Sequence, residues 1–263
     1  MRWRRRLFAI ALVMSSCATV PETGRTQLVL VDNKQLLELS LSEFEKLKAS
    51  TPISKDPEQN ALVQRVGWRI AAVAPVENAQ WEFVVFDEPK VMNAFALPGG
   101  KVGVYSGILA VTQTEPGLAT VLGHEVAHVV AHHGAERVSQ GLLVELGGAA
   151  LSTVAGSNPS ATSQLIQAAY GIGTTVGVML PYSRKHELEA DEIGLYYMAR
   201  AGYDPREAVA FWQRFAEATT GSGQPPEFLS THPVDEHRIA NLQKHMPKAL
   251  EEYERARPRA SAE

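Results

Sequence analysis

The chain has 263 residues, of which 45% are hydrophobic and 21% are charged. This composition supports a globular core and excludes a disordered or collagen-like protein. With 25 basic residues against 29 acidic ones, the chain lacks the positive field that nucleic acid binding requires, so no DNA or RNA partner is expected.

The N-terminus has the pattern of an export signal. Four arginines within the first six residues precede the apolar run Leu7 to Met14, which is too short to span a bilayer. The run leads to Cys17, the only cysteine, in a sequence that resembles a bacterial lipobox. We therefore predict a lipoprotein signal peptide over residues 1–16 and lipidation of Cys17. A plain secretory signal and a twin-arginine signal are the alternatives.

The residue after the lipidated cysteine predicts the destination. Ala18 stands where an aspartate would retain a bacterial lipoprotein in the inner membrane. We therefore expect an anchor on the periplasmic face of the outer membrane, with a soluble periplasmic protein as the alternative. Loss of four arginines with the signal would make the mature protein more acidic.

Hydrophobic periodicity and turn residues divide the rest of the chain into elements. Residues 17–33 show no helical period and predict a tether, residues 34–250 a single domain, and residues 251–263 a flexible tail. The domain is predicted to be α+β and mostly helical, with one small sheet. The predicted helices are 34–49, 57 to a stop at Pro75, 117–133, 183–200, 205–219 and 233–245; the predicted strands are 81–86, 93–97 and 101–105.

A weakly charged block of small and apolar residues covers positions 141–180. It predicts two helices that break near residues 156–159. Frequent glycines argue against a membrane hairpin, so buried helices and contact with a membrane surface remain the two interpretations.

The residues His124-Glu125-Val126-Ala127-His128 match the pattern H-E-x-x-H. On a helix, positions i and i+4 share a face, so both imidazoles can bind one zinc ion at about 2.0–2.1 Å. Glu125 can take a proton from a water that the zinc activates. Because the helix is otherwise apolar, these polar groups would be costly to bury without a metal. We predict a single catalytic zinc; two core histidines bonded to the backbone are the alternative.

Other zinc arrangements fit less well. A structural zinc usually has four protein ligands rich in cysteine, and the only cysteine is Cys17. The metzincin spacing fails because Ala131 and Gly134 stand where that pattern needs glycine and histidine. His132 and His133 are therefore expected to face solvent or to hydrogen bond to a zinc ligand.

A third ligand is expected from the helix 183–200. Glu187 and Asp191 are four residues apart and share a face, so Glu187 can bind zinc while Asp191 holds a ligand histidine. Glu189 points away from that face and is the competing ligand. Spacing alone favours Glu187 only modestly, since acidic residues on one helix are often solvated.

Four motifs occur in order along the chain: Asn93-Ala94-Phe95-Ala96-Leu97-Pro98-Gly99-Gly100, the H-E-x-x-H, Ser183-Arg-x-x-Glu187-x-x-x-Asp191, and Ser230-Thr231-His232-Pro233 followed by Arg238. In these motifs the chain resembles the gluzincin family that contains the CAAX prenyl protease, the membrane protease HtpX and the periplasmic lipoproteins LoiP and BepA. It is most similar to the compact lipoproteins without the repeat domain of BepA. The resemblance covers about residues 55–245 and implies a zincin-like metallopeptidase domain.

The resemblance implies roles for the matched residues. Glu187 becomes the third zinc ligand, and His232 either stabilises the oxyanion or occupies the fourth zinc position; a helix-entry histidine is the structural alternative. Arg238 is expected to pair with a carboxylate of the site. The strand after the two glycines is expected to be a substrate-binding edge, with an ordinary hairpin as the alternative. The implied substrate-binding residues are Asn93, Ala94, Gly100, Lys101, Val102 and Gly103.

Together these features predict a zinc endopeptidase of the bacterial cell envelope. The resemblance implies that its substrates are unfolded or misassembled envelope proteins. The alternative is a zinc-containing chaperone or assembly factor for outer-membrane proteins, with a protease activity that His232 keeps latent.

Overall fold

The computed structural model describes residues 17–76, 78–145, 159–170, 183–219, 228, 232 and 236–257. The predicted signal peptide, positions 146–158 and 171–182 of the weakly charged block, and residues 258–263 lie outside the described residues. The described part is mostly helical with a small sheet, in agreement with the predicted α+β class.

The segment predicted as a tether is folded. Strands β1 (Cys17–Thr19) and β2 (Thr26–Leu28) pair antiparallel, with the turn between them reversing at Gly24, whose φ is +71°. Val20 is fully buried in the core beneath this hairpin. Burial of such apolar side chains, together with ion pairs from Glu22 and Arg25 to the helices, holds the segment on the domain. Residues 17–33, predicted as a tether, therefore contain a hairpin that packs on the domain.

Two helices and the sheet follow. Helix α1 (Asn33–Ser50) is capped by Asp32, and α2 (Pro57–Ala71) is capped by Asp56, with its proline in the first turn. Strands β3 (Glu82–Phe86), β4 (Ala94–Leu97) and β5 (Lys101–Tyr105) form a three-stranded sheet.

The strand order places β5 in the centre of this sheet. It pairs in parallel with β3 along its whole length and antiparallel with β4. Both of its hydrogen-bonding sides are therefore occupied, and an added peptide strand cannot pair with it. The prediction that the strand after the two glycines is a substrate-binding edge is wrong, because β3 occupies the side of β5 that was expected to be free. The residues of β5 do not indicate this pairing, since β3 is distant from it in the sequence.

Seven further helices of the described residues follow β5 in the chain. The predicted helix 117–133 ends earlier, at Val130, because His132 has a φ of +54° and turns the chain into the next helix. The last helix continues past the predicted end at residue 245 and through Pro247, so the tail prediction is wrong for residues 251–256. These helices are α3 (Ser106–Thr112), α4 (Glu115–Val130), α5 (His133–Glu145), α6 (Pro159–Tyr170), α7 (Arg184–Arg200), α8 (Arg206–Thr219) and α9 (Glu236–Ala256).

Helix α4 is buried between the sheet and α7, and two glycines set its distance from α7. A Cβ on Gly123 would lie 2.9 Å from the carbonyl oxygen of Gly194, and a Cβ on Gly194 would lie 2.8 Å from the backbone nitrogen of His124. Only glycine permits this approach, which brings the H-E-x-x-H segment against α7. Among the described helices, none combines the length and the hydropathy that crossing a bilayer requires.

Candidate metal centre

Four buried side chains from three parts of the fold meet at one point. His124 and His128 lie on one face of α4, Glu187 lies in the first turn of α7, and His232 precedes α9. Their donor atoms lie within 4.8 Å of one another, and each side chain is at most 3% exposed. The spacing of four residues puts His124 and His128 on the same face of α4. The Ser183 cap begins α7 one turn before Glu187 and so puts Glu187 in the first turn.

The distances between the donors match one zinc ion. Nε2 of His124 lies 3.1 Å from Nε2 of His128 and 3.1 Å from Nδ1 of His232. The carboxylate of Glu187 lies 3.0 to 3.4 Å from all three imidazoles. Tetrahedral zinc with bonds of 2.0–2.1 Å separates neighbouring ligand atoms by roughly 3.3 Å, and imidazole and carboxylate are ligands it prefers. The cluster therefore fits one zinc ion.

Asp191 and Arg238 surround His124. Oδ1 of Asp191 lies 3.1 Å from Nδ1 of His124, and Arg238 donates to both oxygens of Asp191 at 2.7 and 2.6 Å. Arg238 also lies 3.0 Å from Oε2 of Glu187. Burial raises the pKa of Asp191, but Arg238 outweighs this effect and keeps the net pKa below its ordinary value. The aspartate thus stays ionised and orients the imidazole of His124.

Glu125 lies beside the cluster with an oxygen available for proton transfer. It is 3% exposed, and its Oε1 lies 3.4 Å from Nε2 of His232 and accepts no hydrogen bond from the described residues. Burial raises its pKa to about 8. A bound dication opposes this effect by stabilising the carboxylate, so Glu125 can serve as a base once the metal is present.

The position of His232 is fixed by a neighbouring aromatic residue. Its backbone N–H donates to the carbonyl of Phe228 at 2.7 Å, and the two rings lie 4.6 Å apart. Phe228 is itself attached to the sheet region through a hydrogen bond to the carbonyl of Met92. The contacts of Phe228 with His232 and Met92 therefore hold His232 at the donor cluster.

The two residues with competing assignments, Glu189 and His133, form a pair of their own. Glu189 lies away from the donor cluster, with Oε2 2.9 Å from Nε2 of His133. His133 is fully buried and contacts the ligand His128, whereas His132 is exposed. Of the two environments expected for these histidines, His132 is exposed to solvent and His133 hydrogen bonds to a ligand histidine.

The residues implied for substrate binding are divided by the fold. Asn93 and Ala94 lie at the start of β4, which is an edge of the sheet as far as the described residues go. Val102 and Gly103 lie within the central strand. Gly100 forms the turn before it, and Lys101 donates to the carbonyl of Gln80. Of the implied positions, only Asn93 and Ala94 are at an edge strand of the described sheet, and both are 1% exposed.

A cavity of about 490 Å³ opens beside His128. It lies between α1, the end of α4, and the turn that joins β4 to β5. Its size is within the range of ligand-binding pockets in proteins. Leu36, Leu37, Val76, Pro98, Val129 and Tyr170 supply much of its apolar lining.

Sequence reasoning missed the residues that support the cluster from a distance. Arg25 lies in the segment predicted as a tether, Glu136 belongs to no motif, and His186 stands at an unspecified position of the Ser183-Arg-x-x-Glu187 motif. Trp212 lies 3.8 Å under the guanidinium of Arg238. Nothing in the local sequence indicates these contacts, since each joins segments that are far apart in the chain.

The helix-borne H-E-x-x-H, the glutamate from a second helix and the adjacent carboxylate base define a zincin-like zinc metallopeptidase. Comparison with known sequences specifies the family. The profile of peptidase family M48 matches residues 57–246, and the chain belongs to this family.

Characterised relatives support the same enzyme class. The mitochondrial metalloendopeptidase OMA1 of Saccharomyces cerevisiae is 32% identical over 94% of this chain and 76% of its own length. OMA1 of Schizosaccharomyces pombe is 40% identical over 71% of this chain and 53% of its own length. The β-barrel assembly-enhancing protease of Escherichia coli is 27% identical over 86% of this chain and 47% of its own length. The protein is a zinc metalloendopeptidase.

These findings confirm the metallopeptidase family that the motifs indicated. The narrower resemblance to compact lipoproteins such as LoiP stays a prediction. The chain spans about three quarters of the budding-yeast relative and about half of the other two.

Proposed function

We propose that this protein is an endopeptidase of the bacterial cell envelope that degrades unfolded or misassembled envelope proteins. The observation that carries the chemistry is the buried four-donor cluster with Glu125 beside it. The export signal pattern and the similarity to the Escherichia coli protease support the envelope location.

The residues of the metal centre have distinct roles in the proposed peptide hydrolysis. When bound, zinc supplies Lewis acidity that polarises the peptide carbonyl and acidifies the attacking water. Glu125 accepts the proton of that water and passes it to the leaving amine. Asp191 holds the imidazole of His124 in place, and Arg238 balances the charge of the two buried carboxylates.

Substrate selection is proposed to use the apolar cavity beside His128. Unfolded proteins expose apolar side chains that a folded protein buries, and a cavity of about 490 Å³ accommodates such a group. An enzyme with this site would favour extended, unfolded segments over folded domains.

Cleavage of casein by the purified protein tests the chemistry. We expect cleavage that a chelator abolishes and that the Glu125→Gln variant lacks while it retains one zinc, since the amide keeps the shape but cannot act as a base. Cleavage by zinc-loaded Glu125→Gln at the wild-type rate would contradict the assigned role of Glu125. In cells, accumulation of misassembled envelope proteins with Glu125→Gln, but not with wild type, is the expected result for the proposed substrates.

A second candidate function, a chaperone with latent protease activity, is favoured by the position of His232. Its Nδ1 lies 3.1 Å from Nε2 of His124 and 3.0 Å from Glu187, at a corner of the donor cluster. Four protein ligands would close the position that catalytic zinc sites keep open. On this alternative, wild type with bound zinc is inert, His232→Ala cleaves casein, and Glu125→Gln keeps the cellular function.

The membrane anchor is a separate part of the proposal. We expect the protein in the outer-membrane fraction, and the Cys17→Ala variant in a different fraction because it has no lipid attachment site. Recovery of wild type in the inner membrane, or an unchanged location of Cys17→Ala, would contradict anchoring through Cys17.

A further inference from the structure

A chain of buried hydrogen bonds connects the zinc ligand His128 with the N-terminal hairpin. Nδ1 of His128 lies 2.8 Å from Nδ1 of His133, and Nε2 of His133 lies 2.9 Å from Oε2 of Glu189. Arg25 on the hairpin donates through Nε to the same Oε2 at 2.5 Å, and the hydroxyl of Thr23 donates to the other oxygen of Glu189. Both hairpin residues therefore act on the carboxylate that holds His133.

The hydrogen bonds in this chain have one consistent direction. Because His128 faces the donor cluster through Nε2, its ring proton is on Nδ1 when it binds metal, and Nδ1 donates to His133. The Nδ1 of His133 is then an acceptor, so its proton is on Nε2 and is donated to Glu189. A carboxylate at the end of this chain makes His128 a better ligand and fixes its ring.

Arg25 is itself held in place from a second side. Its Nη1 lies 2.9 Å from Oε2 of Glu136, and the same oxygen lies 3.0 Å from Nε2 of His186. The ring of His186 stacks on the ring of His133 with a centroid distance of 4.4 Å. The arginine thus bridges two carboxylates around the buried histidine, a geometry that suits its planar, forked guanidinium.

We propose that Arg25 is a positioning residue for the zinc ligand His128, and that the docked N-terminal hairpin sets the zinc affinity of the site. Without Arg25, Glu189 loses the cation that holds it, and His133 loses a fixed acceptor. The inference goes beyond the proposed function, because it depends on the zinc site and not on the cellular role.

The test measures the zinc dissociation constant by competition with a fluorescent chelator. Arg25→Ala is expected to weaken zinc binding by about tenfold, in the range found when outer partners of ligand histidines are removed. Glu22→Gln is the matched control. It removes the other hairpin ion pair, to Arg200 at 2.7 Å, but leaves the chain to His128 intact, so its zinc affinity is expected to equal that of wild type. An equal loss in both variants would overturn the proposal.

A double-mutant cycle separates positioning from general destabilisation. Arg25→Ala and Glu189→Gln should be non-additive in zinc affinity because they break the same chain, whereas Glu22→Gln and Glu189→Gln should be additive. Additivity of the first pair would overturn the proposal. If Arg25→Ala does not fold in chelator, Arg25→Lys takes its place in the cycle, with partial retention of affinity expected because lysine provides the charge but not the fork.

Discussion

Arg238 balances the charge of the metal centre. It is 1% exposed, pairs with Asp191 through two hydrogen bonds and with Glu187 at 3.0 Å, and stacks on Trp212. In the absence of metal this guanidinium is a fixed cation beside the two buried carboxylates, where burial would otherwise disfavour their charged forms.

Replacing this arginine should destabilise the metal-free protein. We expect Arg238→Ala to lower the free energy of unfolding by about 3–5 kcal/mol, since it removes the guanidinium that pairs with Asp191 and Glu187 and leaves these buried carboxylates with only the imidazoles as partners. Urea denaturation in the presence of chelator measures the change. The control is Arg65→Ala, whose ion pair with Glu115 is half exposed and should contribute less than about 1 kcal/mol. Similar losses in the two variants would contradict the assigned charge balance.

Glu136 gives the protein an acid-sensitive contact. Burial raises its pKa, but hydrogen bonds from His186 and Arg25 outweigh this effect and lower the pKa from 4.5 to about 2. Because the folded pKa is below the unfolded one, the stabilisation is present above about pH 4.5 and is lost as the pH falls towards 2.

The Glu136→Gln variant should therefore be less sensitive to acid. We expect the free energy of unfolding of the chelated protein to fall less steeply between pH 5 and about pH 2 than in wild type. Parallel curves over this interval would contradict the assigned contact. Glu251→Gln removes a carboxylate that is 68% exposed and serves as the matched variant.

At the scale of elements, the contact between α4 and α7 determines the site. Gly123 and Gly194 let the two backbones approach until a Cβ on either would overlap the other helix. Ligands from both helices then converge on one point, because each ligand lies within a turn or two of the contact.

Adding a methyl group at this contact should separate the helices. We expect Gly194→Ala to lower the free energy of unfolding by about 1–3 kcal/mol and to weaken zinc binding, since backbone atoms cannot move aside as a flexible side chain does. Gly67→Ala is the control. Its Cβ would meet the ring of Phe83, away from the site, so stability should fall without loss of zinc affinity. Unchanged zinc affinity in Gly194→Ala would contradict the model of two helices held at a fixed distance.

The sequence predicts the elements better than the way they pair. The periodic helices and the three short strands are present, and His124 and His128 share a face of α4, because these signals are local. Glu187 joins them as the family resemblance implied, whereas its spacing alone favoured it only modestly. The central position of β5 depends on its pairing with β3, and the hairpin around Gly24 depends on packing against distant helices. Neither dependence is visible in a window of neighbouring residues. Arg25 was missed for the same reason.

At the scale of the whole molecule, metal binding and folding are coupled. The four donors come from α4, α7 and the segment before α9, so the site exists only in the folded chain. We expect the melting temperature to rise with the free zinc concentration above the dissociation constant, and to fall when a chelator removes the metal. Thermal unfolding in zinc-buffered solutions measures this. His128→Ala should lose most of the dependence, and a wild type that melts independently of zinc would contradict the coupling.

The positions of the ligands along the chain also determine when the enzyme becomes competent. His232 is 108 residues after His124, and Arg238 follows it by six. A chain that is still being synthesised carries Glu125, His124 and His128 long before His232 and Arg238 are added. A chain that ends before α9 therefore has no finished zinc centre, and the complete set of donors can come together only after nearly the whole domain has been synthesised.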